Sequence, residues 1–216
     1  MEAISSFLQE AVYRVPALLI AITFHEVAHG WVAYRLGDPT AKNHGRLTLN
    51  PIPHIDPIGA LMLLLFRFGW AKPVPVNPMY FRGDRRRGML MVALAGPVTN
   101  FILAFLVAAL VSVVLNYMPI TGFSIFLLNF LLMLLIYNVF LGMFNLLPVP
   151  PLDGSKILSN LLPIRFSPIF AQLEQYGFFI LILLIFTNTI RYLLLPATYM
   201  LQFLSGLFGF SWLLGV

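Results

Sequence analysis

No cysteine occurs in this 216-residue chain, which excludes disulfides and thiolate-bound metal and leaves imidazole and carboxylate as the metal-binding side chains. Charge is scarce as well: Asp, Glu, Lys and Arg make up 10% of the residues, and only eight are acidic. A chain so poor in charge, 60% hydrophobic and with a mean hydropathy of +0.89, cannot bury its apolar surface in one soluble core. It reads as a polytopic membrane protein. A separate soluble domain of ordinary size, roughly 100 residues, has no room, so one membrane-embedded domain over 1–216 is expected. A basic leader is missing too. The first residues, MEAISSFLQEAVYR, carry Glu2 and Glu10, so they do not read as a cleaved signal peptide and the first span is expected to stay in the mature protein. No internal repeat is evident.

Nine of the thirteen basic residues fall between Arg35 and Arg87, with Arg82, Arg85, Arg86 and Arg87 nearly adjacent. Hydrophobic segments flank the cluster, so it reads as a cytoplasmic loop obeying the positive-inside rule rather than as a nucleic-acid patch. The expected surroundings are a lipid bilayer, with no nucleic acid. Residues 16–36 form the first span, with Gly37 as its stop; at 1.5 Å per residue it is ~31 Å long, enough to cross the hydrocarbon. Within the polar stretch 37–56, GRLTLNP alternates as a short strand would. Residues 58–66 are too short to span and read as re-entrant or interfacial, and the prolines of AKPVPVNP suit an edge strand. Residues 88–115 and 122–147 are the second and third spans; 174–190 and 192–214 suggest two more, turning near Arg191. The fold class is therefore an all-α polytopic membrane protein. About five transmembrane helices are expected, with short β-strands or a re-entrant segment between the first two.

His25, Glu26 and His29 lie inside the first span, in the string HEVAH. An ionisable residue at that depth is disfavoured by at least ~2.5 kcal/mol, so three together call for a functional reason. Positions i and i+4 share a helix face, which lets both imidazoles reach one ion, while Glu26 points aside as a base would. The bland alternative is two histidines and a glutamate satisfying one another in a bundle. A catalytic zinc wants a third protein ligand. With the basic loop in the cytoplasm, 145–154 at the end of the third span arrives at a depth similar to that of His25 and His29. Asp153 there combines a span end with a proline-broken backbone, although an Asp-Gly turn after a helix accounts for it equally well. His44 and His54 have no partner at helical spacing and read as hydrogen-bonded loop residues.

Three motifs in order resemble the site-2 proteases, zinc metalloproteases that cut transmembrane segments of their substrates: HEVAH at 25–29, GPVTN at 96–100 and NLLPVPPLDG at 145–154. The resemblance spans about 23–154, and with it the catalytic core is expected over about 16–154, followed by C-terminal helices over about 174–214. It implies one Zn2+ per chain held by His25, His29 and Asp153, with Glu26 as catalytic base and with Asn145 and Asn100 lining the site. The chain looks like the compact prokaryotic branch without a PDZ domain, which implies a multi-pass protein of the cell (inner) membrane; the basic loop, read as cytoplasmic, sets the active site toward the cytoplasm. Asn145 is the candidate oxyanion donor, an interhelical hydrogen bond being its other reading. Edge strands around Leu47 and Thr48, or in PVPVNP, would pair with an unwound transmembrane substrate. Two other classes compete: a metal or ion transporter using the same residues as a transit site, and an inactive relative that binds substrate helices without cutting.

Overall fold

The computed structural model describes residues 2–66 and 69–214; Arg67, one of the nine clustered basic residues, lies outside them. Helix α1 (Glu2–Arg35) is longer than the sequence pattern implied, because Pro16 sits inside it rather than at its start. The polar residues before Pro16 continue the helix, with Arg14 and Glu10 paired at i, i+4 (2.9 Å). The helix ends where Gly37 takes φ +111°. There Asp38 N–H bonds the Ala33 carbonyl and Gly37 N–H that of Tyr34, the Schellman arrangement that uses up the last helical carbonyls.

The stretch between α1 and the next long helix carries one turn, α2 (Thr40–Asn43), and α3 (Pro57–Phe66). Asp56 caps α3 by accepting from Ile58 and Gly59 N–H. Ten residues reach only ~15 Å, so α3 does not span, as expected. The anticipated strands are not formed: 47–49 are bends, and among the described residues the sole β pairing is one antiparallel bridge, Ile55 with Ala71. Alternation in GRLTLNP failed as a guide because its polar groups are recruited elsewhere. Arg46 turns inward to the Lys72 and Pro73 carbonyls, and the Thr48 carbonyl accepts from His54.

Helices α4 (Arg85–Tyr117) and α5 (Gly122–Asn145) follow, each with a built start. Asp84 accepts from Arg86 and Arg87 N–H, while Thr121 and Ser124 bond each other reciprocally in a capping box. Then come α6 (Asp153–Leu161), α7 (Ser167–Phe186), α8 (Thr189–Leu193), α9 (Leu195–Leu207) and α10 (Ser211–Leu214). Among the described residues, three helical segments are long and apolar enough to cross a membrane: Glu10–Arg35, Arg85–Tyr117 and Gly122–Asn145. Toward the C-terminus, where two further spans were expected over 174–190 and 192–214, the chain forms α7 and then α8 to α10, with Asn188 left-handed at φ 58° before α8 and Pro196 at the start of α9.

Helices α1, α4 and α5 pack against one another. Their common core is built from small and branched aliphatic side chains, Ala17, Ala104, Ala108, Val111, Leu135 and Val139, with Leu201 and Leu204 of α9 closing one side. Alanines let helices approach where hydrocarbon surroundings offer no hydrophobic drive for association. This close approach brings the polar groups of three helices together.

Candidate metal centre

His25 and His29 lie on the inner face of α1, 4% and 8% exposed, about 9 to 15 Å along the helix from its Arg35 end. Asp153, 6% exposed, is the first residue of α6. That short helix is pinned at its far end by Arg86, whose guanidinium donates to the Ser159, Asn160 and Leu162 carbonyls. A cation on the unpaired carbonyls of a helix C-terminus is favourable, and it holds α6 against α4 with Asp153 at the opposite end.

Three ligand atoms converge. Asp153 Oδ2 lies 3.1 Å from His25 Nε2 and 3.0 Å from His29 Nε2, and the two Nε2 atoms are 3.0 Å apart. The other nitrogen of each ring is committed: His25 Nδ1 meets Asn100 Oδ1 at 2.6 Å, and His29 Nδ1 meets the Val92 carbonyl at 2.7 Å. Both of those oxygens can only accept, so both Nδ1 atoms carry the proton. In the neutral rings each Nε2 is then a bare lone pair. Two such lone pairs and a carboxylate face one another with no proton between them, an arrangement that calls for a cation. A tetrahedral centre with ligands at 2.0–2.1 Å needs edges of about 3.3 Å, close to those present. Two imidazoles and one carboxylate leave a fourth position open and suit zinc. Among the described residues this is the only such grouping of His, Cys, Asp or Glu.

Gly96 explains how three helices meet there. A methyl carbon at this position would lie 2.5 Å from His25 Cε1, 2.6 Å from His25 Nε2 and closer still to His29 Nε2. Only glycine lets α4 pass beside both rings. Its neighbour Pro97 has no N–H for the Ala93 carbonyl, which loosens the helix ladder next to the Val92 carbonyl that receives His29. Asn100, one turn on, faces the same way.

These observations find their counterpart among known proteins. The model for "Peptidase family M50" matches residues 13–125 and 115–187. The Bacillus subtilis protein named "Putative zinc metalloprotease YwhC" is 44% identical over 186 residues, covering 85% of this chain and 84% of its own. The Mycolicibacterium smegmatis protein named "Putative zinc metalloprotease Rip2" is 30% identical over 177 residues, covering 80% of this chain and 66% of its own. The chain belongs to peptidase family M50, the site-2 proteases. A shorter likeness, 40% over 72 residues and 31% of each chain, is to the Methanocaldococcus jannaschii "Putative zinc metalloprotease MJ0611". No solved structure matches the chain.

The remaining residues of this M50 site are placed as follows. Glu26 stands outside the triangle of ligand atoms, half-buried, and its Oε2 accepts the Val74 N–H at 2.9 Å. The segment that supplies this N–H is itself tied down: Arg46 donates to the Lys72 and Pro73 carbonyls (2.5 and 3.2 Å), and the Asn77 N–H donates to Asp38 Oδ2 (2.7 Å). Asn100 is fully buried beside His25. Asn145, the last residue of α5, spends one amide hydrogen on the Leu141 carbonyl (3.0 Å), and no bond joins it to the three ligand atoms. Leu47 packs toward Gly30 of α1, and Thr48 lies in the 47–49 bends with its hydroxyl accepting from Asn50 N–H. His44 is exposed with Nδ1 against the Thr40 carbonyl, and buried His54 donates from Nε2 to Thr48. Neither joins the cluster. Sequence reasoning missed Gly96 as a contact, Arg46 and Val74 as supports, and Asn138 entirely. The glycine alone had left a signal, in the GPVTN motif.

Proposed function

We propose that this protein is an intramembrane zinc endopeptidase, hydrolysing peptide bonds in or near the transmembrane segments of membrane protein substrates. The observation that carries this reading is the triangle of three acceptor atoms buried among membrane-length helices, with a carboxylate beside it, Glu26, whose Oε1 is unengaged among the described residues. One zinc per chain would be held by His25, His29 and Asp153; when bound, it supplies Lewis acidity toward a peptide carbonyl and toward water. Glu26, its Oε2 fixed by Val74, offers Oε1 to take the proton of the attacking water and return it to the departing amine nitrogen. The amide hydrogen of Asn145 that Leu141 does not use is the proposed donor to the oxyanion.

A substrate helix must open before its amide can be reached, and the opened backbone needs new partners. Residues 74–76 support strand addition. They lie in neither helix nor strand, and among the described residues they make no backbone–backbone hydrogen bond that would compete with a paired substrate. Leu47 and Thr48 lie near this segment's supports and would flank the opened chain. The basic loop before α4 supports a cytoplasmic position in the cell membrane for this end of the bundle, and with it for the active site.

The test is cleavage of a transmembrane peptide by purified protein in vesicles. Cleavage is expected, abolished by a zinc chelator and restored by added zinc. Zinc-loaded protein that leaves the peptide intact while passing metal across the vesicle would overturn the reading in favour of a transit site.

A further inference from the structure

We propose that Asn138, acting through Asn100, is a positioning residue that fixes the tautomer of His25 and so keeps its Nε2 free for metal. Both asparagines have no exposed surface although they sit in apolar helices. A buried polar pair is costly unless its bonds are met, and here they are met in a chain of one direction. Asn138 Nδ2 donates to the Leu134 carbonyl (2.8 Å); Asn138 Oδ1 accepts from Asn100 Nδ2 (2.8 Å), which also donates to the Ala21 carbonyl (3.2 Å); Asn100 Oδ1 accepts from His25 Nδ1 (2.6 Å).

The direction follows from two anchors. The Leu134 and Ala21 carbonyls can only accept, so each asparagine must turn its NH2 toward them and its oxygen away. Turning Asn100 over would set its oxygen against Ala21 O and offer an N–H to His25 Nδ1. The proton would then move to Nε2, where it blocks metal binding. The Ala21 bond is the longer of the two holding Asn100, so Asn138 on α5 is its principal lock. In this way α5, which supplies no ligand, controls a ligand on α1 through α4.

This inference rests on the reading of His25 as a metal ligand, and its test separates the two. In the zinc-loaded full-length protein, 15N spectra of the histidine rings are expected to show His25 protonated at Nδ1 and metal-bound at Nε2; the opposite assignment overturns the inference. Asn138→Leu, of similar size but without an acceptor, is expected to bind zinc about tenfold more weakly in chelator competition, at the lower end of outer-partner effects. Its cobalt-substituted form is expected to change its visible absorption. Asn138→Asp, which keeps the acceptor, is expected to restore affinity to within about threefold. Parental affinity and cobalt spectrum in Asn138→Leu would overturn the inference while leaving the metal centre standing, as would equal weakening in both variants, which points to helix packing alone. Absence of zinc binding in the parent would overturn the metal centre as well.

Discussion

Replacing Gly96 by alanine is expected to abolish the metal centre while leaving the bundle assembled. The new methyl would sit 2.5 Å from His25 Cε1, against the 3.4 Å at which ordinary contact begins, so the ring must retreat by about 0.9 Å. It has nowhere to go, because its Nδ1 already meets Asn100 at 2.6 Å. Metal–ligand distances hold within about 0.2 Å, so the required shift exceeds the tolerance several-fold. Displacements of about 1 Å at a site commonly cost about 100-fold, and zinc affinity is expected to fall by at least that factor. The helix itself is not weakened, since alanine exceeds glycine in helix propensity by about 1 kcal/mol. Zinc per chain, measured against a graded series of chelator concentrations, is the assay, with helical circular dichroism as the control for folding. A folded Gly96→Ala protein with parental zinc affinity would refute the geometry described for this site.

Other perturbations test the supports one at a time. Val74→Pro removes the N–H that holds Glu26; losing a hydrogen bond to a charged group, about 1.5 kcal/mol, is expected to lower kcat roughly tenfold with zinc content unchanged, and unchanged kcat would show that the bond does not orient the base. Arg86→Ala frees the end of α6 and is expected to lower stability in detergent by about 2 kcal/mol, read as a drop in Tm. Asp84 has its carboxyl held below the ordinary value of 3.8 by the Arg87 and Arg86 amides. Its cap therefore stabilises above that value and is lost as pH falls through the lower folded value. The Tm difference between the parent and Asp84→Ala is accordingly expected to be constant at neutral pH and to begin closing below about pH 4; a difference that closed at neutral pH, or grew as acid was added, would contradict the charged cap.

What the sequence revealed and what it hid divide along physical lines. HEVAH was legible because i, i+4 spacing on a helix is a local property, and Asp153 because its turn follows the end of a span. Glu2 to Val15 were assigned outside the first helix because Pro16 reads as a helix start, yet proline inside a long helix sacrifices one bond that its neighbours offset. The strand expected at 45–51 failed since alternation reports local pattern, while the groups that decided the shape, Arg46 with Lys72 and Pro73, are distant in the chain. Asn138 was invisible for the same reason. A single asparagine in an apolar helix shows only that it needs a partner, and the partner lay 38 residues away.

The central claim is that a carboxylate beside a buried zinc site cuts peptides within the membrane. The most direct measurement compares the parent with Glu26→Gln, a substitution that keeps an oxygen for the Val74 N–H but removes the base. Both are loaded with zinc, verified for equal metal content, and given the same transmembrane peptide. Equal zinc binding with cleavage by the parent alone is the predicted result. Cleavage by Glu26→Gln at the parental rate would contradict the account.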